Sequence, residues 1–195
     1  DYIKANPQII KDVLVKHPEY LLDAEKALEV KHRTDSLLAY VNSITLSREY
    51  STQLSMINSG YMGNKNGKTI LVEFFDYQCH FCKQTEPEIN NLFATKKDIL
   101  FIPQEVAFIS KDSVYASLVS MASSKLDHDL YLKIHSDLIN SSSPLTHDKV
   151  DEIIHKNTVK YDQIHDIIKT GEPQKILDSN AQLMQNLKSY GTPAF

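Results

Sequence analysis

The stretch Leu71–Cys82 reads LVEFFDYQCHFC, and the rest of the chain is organised around it. It holds the only two cysteines of the protein, Cys79 and Cys82, at the end of an apolar run. Val72, Phe74 and Phe75 favour a strand, and the run has the length of a buried one. After Cys82 the spacing turns helical, with Ile89, Leu92 and Phe93 three and four residues apart. A strand that ends in Cys-x-x-Cys and runs into a helix puts the first thiol at a helix N-terminus. Unpaired backbone N–H groups and the helix dipole favour a thiolate there, and thiolate is the reactive form of cysteine. The pattern therefore points to redox chemistry.

Three plainer readings compete with it. A structural disulfide closing so short a loop gains only roughly 2 kcal/mol of chain entropy. A structural zinc site wants about four ligands, and there is no second cysteine pair; His80, lying between the thiols, is poorly placed to chelate one ion together with both. The third reading is two inert buried thiols. No metal or cofactor is expected.

Composition narrows the rest. A chain of 195 residues can bury a sizeable core, and one domain with an appendage is the natural expectation. Charged residues make up 24% and hydrophobic residues 42%, as in an ordinary globular protein. The net charge of −4, with Lys and Arg scattered, argues against a nucleic-acid partner and a basic membrane-binding face. No apolar run approaches the roughly 18 residues of a membrane span. Asp1 opens a polar segment without an initiating Met or a signal-peptide core, so the expectation is either a cytosolic protein or a chain that starts after a removed signal.

Along the chain, Asn6-Pro7 reads as a helix start with Asn6 as N-cap, and Ile9, Ile10, Val13 and Leu14 form an apolar stripe. His17-Pro18 breaks that helix. Leu21, Leu22, Leu28, Leu37, Leu38, Val41 and Ile44 then recur at helical spacing, interrupted by the polar stretch Lys31–Ser36. This arm, residues 1–46, either packs on the chain's own core or forms a dimer surface, since an amphipathic arm has little of its own to bury against. Residues 47–68 read as linker and turns, with Gly63-Asn64-Lys65-Asn66-Gly67 as turn chemistry. The compact domain is expected over 69–195. It opens with a strand over 69–76, a helix from Cys79 to about Ala94 containing Pro87, and a strand over 99–107 whose Pro103 implies a bulge or an edge position. From about 111 to 188 the spacing is helical throughout. Thr146 is placed to cap one helix and Gly171 to end another. His128, His135, His147, His155 and His165 show no ligand spacing. Thr192-Pro193 is a candidate cis bond in a tight turn.

Two separated pieces then agree. Val72-Glu73-Phe74-Phe75-Asp76-Tyr77-Gln78-Cys79-His80-Phe81-Cys82 and, far downstream, Gly191-Thr192-Pro193 resemble the DsbA-like branch of the thioredoxin superfamily. Pro87 sits where thioredoxin-like helices often carry a kinking proline, and a long helical insertion separates the two pieces, as in that branch. The N-terminal stretch resembles the oligomerising arm of ScsC-like and related dimeric DsbA-like proteins. The resemblance covers nearly the whole chain. It implies an α/β thioredoxin fold with an inserted helical domain and an N-terminal helical dimerisation arm.

The resemblance also implies roles. Cys79 is the attacking thiol, Cys82 the resolving and more buried one, and Thr192-Pro193 the cis-proline loop that holds substrate backbone. Glu73 falls where the family keeps a buried acid that relays a proton to or from Cys82; its ordinary alternative is a paired strand residue. His80 and Phe81 lie between the thiols and tune the pair, a protonated His80 favouring the Cys79 thiolate. Two departures stand out. DsbA itself carries Pro-His between its cysteines, so a strongly oxidising potential does not transfer. The family also continues past the Thr-Pro loop with a hairpin and a helix, whereas the sequence here ends at Phe195, so the C-terminal strands are expected to be missing.

The expected function is thus an exported, periplasmic thiol:disulfide oxidoreductase that forms or isomerises disulfides in cysteine-containing substrate proteins. Thr192 before the proline resembles isomerase-type members. A membrane oxidase or reductase would act as redox partner, and the arm would pair two chains. The alternatives are a chaperone-like client-binding protein and a cytosolic thioredoxin-like reductase.

Overall fold

The computed structural model describes residues 2–142 and 144–195. The chain divides into two compact units, Asp1–Leu46 and Ser47–Phe195.

Among the described residues, the regular structure of the first unit is all helix: α1 (Tyr2–Ala5), α2 (Gln8–Lys16) and most of α3 (Glu19–Glu49). Asn6 does not cap α2. Its side-chain amide donates instead to the Tyr2 carbonyl at 2.9 Å, and Pro7 takes the cap position. The His17-Pro18 break holds: the His17 N–H closes α2 on the Val13 carbonyl, and α3 begins at Glu19. The polar stretch Lys31–Ser36 does not interrupt α3, which runs for 31 residues. Continuity has a consequence for the apolar spacing. An α-helix turns about 100° per residue, so the step from Leu28 to Leu37 adds about half a turn beyond whole turns. Leu21 and Leu28 therefore share one side of α3, while Leu37 and Val41 share the opposite side. The single stripe expected from sequence is two faces, and none of their residues is buried.

The second unit carries α4 (Ser51–Leu54), β1 (Met62–Gly63), β2 (Thr69–Phe75), α5 (His80–Thr95), β3 (Ile99–Glu105), α6 (Lys111–Leu126), α7 (His128–Ile139), α8 (His147–Asn157), α9 (Tyr161–Lys169) and α10 (Glu172–Asn186). The strands form one sheet in the order β1-β3-β2. β2 and β3 run parallel, in register from Thr69↔Ile99 to Phe75↔Glu105. β1 lies antiparallel on the other side of β3, pairing at Leu100 and Phe101. The segment 47–68 is thus more than linker. Met62 buries its side chain with Ile89 and Phe101, and Gly63, at φ 76°, turns where a side chain would stand 2.6 Å from the Ile99 carbonyl.

The register also settles Pro103. It sits in the middle strand without a bulge. The β1 ladder stops at Phe101, so on that side Pro103 is locally at an edge and its missing N–H leaves no ladder bond unmade.

Alternate side chains of β2 enter different cores, as the pleat requires. Phe75 joins Tyr77, Cys79 and Cys82 in the large cluster built by α6, α7, α8 and α9 through residues such as Val119, Ile134, Leu138 and Ile154. Phe74 packs with Val106, Leu183 and Met184, flanked by Tyr50 and Leu54. Thr146 caps α8, accepting from the Lys149 N–H at 3.4 Å, and Gly171, in the left-handed region at φ 74°, separates α9 from α10. After α10 the chain returns to the sheet. Phe74 and Ala194 exchange two backbone hydrogen bonds, of 2.8 and 3.1 Å, which bring the Thr192-Pro193 turn to the C-terminal end of β2.

Candidate thiol site

The site begins where β2 stops. Asp76 follows the strand, fully buried, and its carboxylate accepts the Gln78 N–H at 2.8 Å. Its backbone carbonyl accepts the Cys79 N–H at 2.9 Å. These bonds close a tight turn that leaves Cys79 extended, at φ −67° and ψ 117°, as the N-cap of α5. The Cys79 sulfur takes the part usually played by a serine or aspartate oxygen: it accepts the Cys82 N–H at 3.4 Å. On its other side the Cys79 thiol donates to the Thr192 carbonyl at 3.3 Å, across 113 residues of sequence. The Thr192-Pro193 peptide bond is cis.

Both cysteines are free thiols. Cys79 retains 6% of its surface and Cys82 2%, so Cys82 is the more buried of the two, but Cys79 is itself largely covered. The Thr192-Pro193 turn lies against its sulfur and accounts for part of that cover. The two thiols remain unequal. Burial pushes the Cys82 thiol well above the usual cysteine range, with the Asp76 backbone opposing and the hydrogen bond with Cys79 adding to the shift.

Glu73 lies in β2, buried, with its carboxyl pushed up to about 8, chiefly by burial and then by the charge of Glu86 on α5. Glu86 is itself raised by burial, while the Asn90 amide, donating at 3.0 Å, pulls it back. His80 and Phe81, the residues between the thiols, are exposed on the first turn of α5, their rings edge to face at 5.7 Å. The structure thus brings Cys79, Cys82 and Thr192 together, and sets Glu73 on the strand that leads into them.

A family model for the DsbA-like thioredoxin domain matches residues 70–195, from β2 through the cis-proline turn. This chain belongs to the DsbA-like family. Among solved structures it is similar to the thiol-disulfide exchange protein α-DsbA2 from Wolbachia pipientis, at 23% identity and a TM-score of 0.74 over 80% of this chain and 84% of that one. It is also similar to BcfH from Salmonella enterica Typhimurium, at 26% identity and a TM-score of 0.73 over 98% of this chain and 83% of that one. A third likeness is to Proteus mirabilis ScsC in a compact conformation, at 23% identity and a TM-score of 0.67, covering 100% of this chain and 93% of that one. No curated protein matches.

Around the thiols this DsbA-like domain carries polar residues that sequence reasoning passed over. Gln78 reaches two loops of the helical region, donating to the Ser110 hydroxyl at 2.5 Å and accepting from the Leu145 N–H at 3.0 Å. The Tyr77 hydroxyl meets Ser120 at 2.7 Å and His135 at 2.8 Å. Ser120 continues to Glu105 at 3.2 Å, and Ser59 approaches the other oxygen of that carboxyl at 2.8 Å. Burial pushes Glu105 up to about 7 and His135 down to about 4. An aspartate just after a strand is a recognisable turn signal. The Tyr77–His135 contact had none, because its partners lie 58 residues apart. Among the described residues no group of His, Cys, Asp and Glu could hold a metal ion, and no helix is long and apolar enough to cross a membrane.

Proposed function

We propose that this DsbA-like protein forms or isomerises disulfides in exported proteins, with Cys79 as the attacking sulfur and Cys82 as the resolving one. The observation that carries the reading is the inequality of the pair. The Cys79 sulfur caps a helix and receives the Cys82 N–H, while burial holds Cys82 in its thiol form. A nucleophile needs the first environment, and a resolving group that must not react early needs the second.

The steps balance as follows. The Cys79 thiolate attacks one sulfur of a substrate disulfide, forming a mixed disulfide and expelling the other substrate sulfur as a thiolate, which takes a proton. If a further substrate thiolate attacks the mixed disulfide at the substrate's sulfur, Cys79 is released and the substrate is rearranged with no net change of electrons. If Cys82 loses its proton and attacks the Cys79 sulfur, the substrate leaves reduced by two electrons and the Cys79–Cys82 disulfide forms. Run backwards from that disulfide, the sequence oxidises a substrate dithiol. Glu73, a carboxyl poised near neutrality and buried, suits the proton transfer at Cys82. The Thr192 carbonyl marks where substrate backbone would lie against the cis-proline turn. His80 and Phe81, exposed beside the reactive sulfur, meet the substrate first.

Export to an oxidising compartment, with a membrane oxidase or reductase resetting the pair, fits chemistry that the cytosol opposes. The first unit offers exposed leucines on both sides of α3, which supports a homodimer formed through residues 1–46. Trapping tests the chemical core of this reading. The Cys82→Ala variant, mixed with a cystine-containing peptide, is expected to accumulate a mixed disulfide at Cys79, resolved by mass after acid quenching. Recovery of unmodified Cys79 at all peptide concentrations defeats it.

A further inference from the structure

We propose that Asp76 is a positioning residue of the thiol site: one buried carboxylate shapes the turn that presents Cys79 and fastens it to the loop that starts α6. The inference rests on the thiol reading above, since the reactivity of Cys79 is what is being positioned.

Asp76 is fully buried, yet its two oxygens accept four hydrogen bonds. Oδ1 receives the Gln78 N–H at 2.8 Å and the Ser113 hydroxyl at 2.7 Å. Oδ2 receives the N–H groups of Phe108 and Ile109, each at 3.1 Å. All four partners donate. An ionised carboxylate offers only acceptors, with room for about four donors, so it fits this set. A protonated acid or an amide would aim a hydrogen at one of the donors. The charge is also well placed in the fold, because Phe108 and Ile109 lead directly into the N-terminus of α6, where backbone N–H groups stand unpaired.

The bonds fall on both sides of the site. The Gln78 bond, with the Asp76 carbonyl accepting from Cys79, sets the turn before the reactive sulfur. The other three hold the end of the β3–α6 connection, at Phe108 and Ile109, and the first turn of α6, at Ser113. The turn therefore keeps Cys79 in the extended cap conformation in which the Cys82 N–H meets its sulfur. If the carboxylate is lost, the Gln78 N–H loses its Asp76 acceptor, the turn keeps only the ties of the Gln78 side chain among those described, and Cys79 is held less firmly in the conformation that meets the Cys82 N–H.

The test measures Cys79 reactivity in the full chain, in a Cys82→Ala background so that one thiol reports. Asp76→Asn is expected to slow iodoacetamide alkylation of Cys79 by about tenfold, the scale of losing a charge-assisted bond. Ser113→Ala, which keeps the charge and removes one of the four bonds to Asp76 together with a longer contact to the Ser110 hydroxyl, is expected to slow it less and in the same direction. Urea unfolding of each variant is followed in parallel. Wild-type alkylation rates in both variants, with lowered stability only, would overturn the proposal and leave Asp76 a structural residue. Faster alkylation in Asp76→Asn would also overturn it, because the carboxylate would then be acting on the thiolate by repulsion. If Asp76→Asn does not fold, Ser113→Ala alone decides. The disulfide reading fails separately: Cys79 that alkylates readily but forms no mixed disulfide with a cystine peptide defeats that reading and leaves the positioning result standing.

Discussion

The two units of this chain handle apolar residues in opposite ways. The helices of the first unit carry leucines, isoleucines, valines and tyrosines and bury none of them. The second unit packs similar residues into cores where Tyr77, Tyr131, Ile134 and Leu138 are fully enclosed. The first is specified locally, by helix-forming residues and by the His17-Pro18 break. The second is specified by contacts far apart in sequence, such as Phe74 with Ala194 and Cys79 with Thr192. The lesson is that the cysteine pair owes its geometry to the non-local unit, whereas the helices of the arm bury none of their apolar residues.

Substitutions can break this contrast, and the largest effect belongs at the sulfur. Cys79→Ala should lower thiol–disulfide exchange with a cystine peptide by about a thousandfold or more, because the covalent step is removed; the arm's helicity, read by far-ultraviolet circular dichroism, should not change. Next comes packing. A methyl group on Gly60 would stand 2.2 Å from the ring of the enclosed Tyr131, so Gly60→Ala should cost about 3 kcal/mol in urea unfolding, while Ala24→Leu on the exposed arm should stay within about 0.5 kcal/mol.

A third prediction concerns pH. The carboxyls of Glu73, at about 8, and Glu105, at about 7, keep a proton in the folded state that the unfolded chain gives up near 4.5. Their contribution is therefore greatest at low pH and lost as pH rises through the folded values. His135, lowered to about 4, is neutral in the folded state, while the unfolded chain still binds part of a proton near 6.5, so its opposing slope fades as pH rises above that value. Stability should accordingly fall from pH 6.5 to 8, by up to about 1.4 kcal/mol per unit for each carboxyl that still holds its proton in the folded state. Glu73→Gln should flatten most of that fall; an unchanged slope would remove the assignment. The smallest effect on stability is expected in the arm. Leu21→Asp with Leu28→Asp, or Leu37→Asp with Val41→Asp, should lower the solution mass seen by light scattering while leaving the melting temperature of the second unit unchanged. An unchanged mass in both pairs, and after removal of residues 1–46, would end the dimer proposal.

Much of this architecture was legible in residue pattern. The strand before Cys79, the helix after it, the cap at Thr146 and the cis bond at Thr192-Pro193 each have a local chemical signature. Other features have none. β1 is two residues long and exists only because β3 pairs with it, so 47–68 read as linker. The apolar spacing of the arm read as one stripe because the phase of a helix across Lys31–Ser36 depends on its remaining continuous. Pro103 suggested a bulge or an edge position, and the pattern could not choose between them because it does not reveal where the neighbouring ladder stops. At the site, the cysteine spacing was conspicuous, but Asp76 was passed over, since three of its four partners gather only when the β3–α6 connection and the first turn of α6 fold back onto the turn. The burial of Cys79 was missed for the same reason: the turn that covers it comes from the far end of the chain.

The central claim is that Cys79 and Cys82 form a reversible redox pair, and the most direct test is its equilibrium in glutathione buffers of defined ratio, with the full chain quenched in acid and the thiols counted by mass. The account predicts one two-electron transition between dithiol and Cys79–Cys82 disulfide, at a potential between the roughly −270 mV of a thioredoxin-like reductant and the roughly −120 mV of a strong disulfide donor. A protein that keeps two free thiols at every ratio, or forms only separate glutathione adducts, would contradict it.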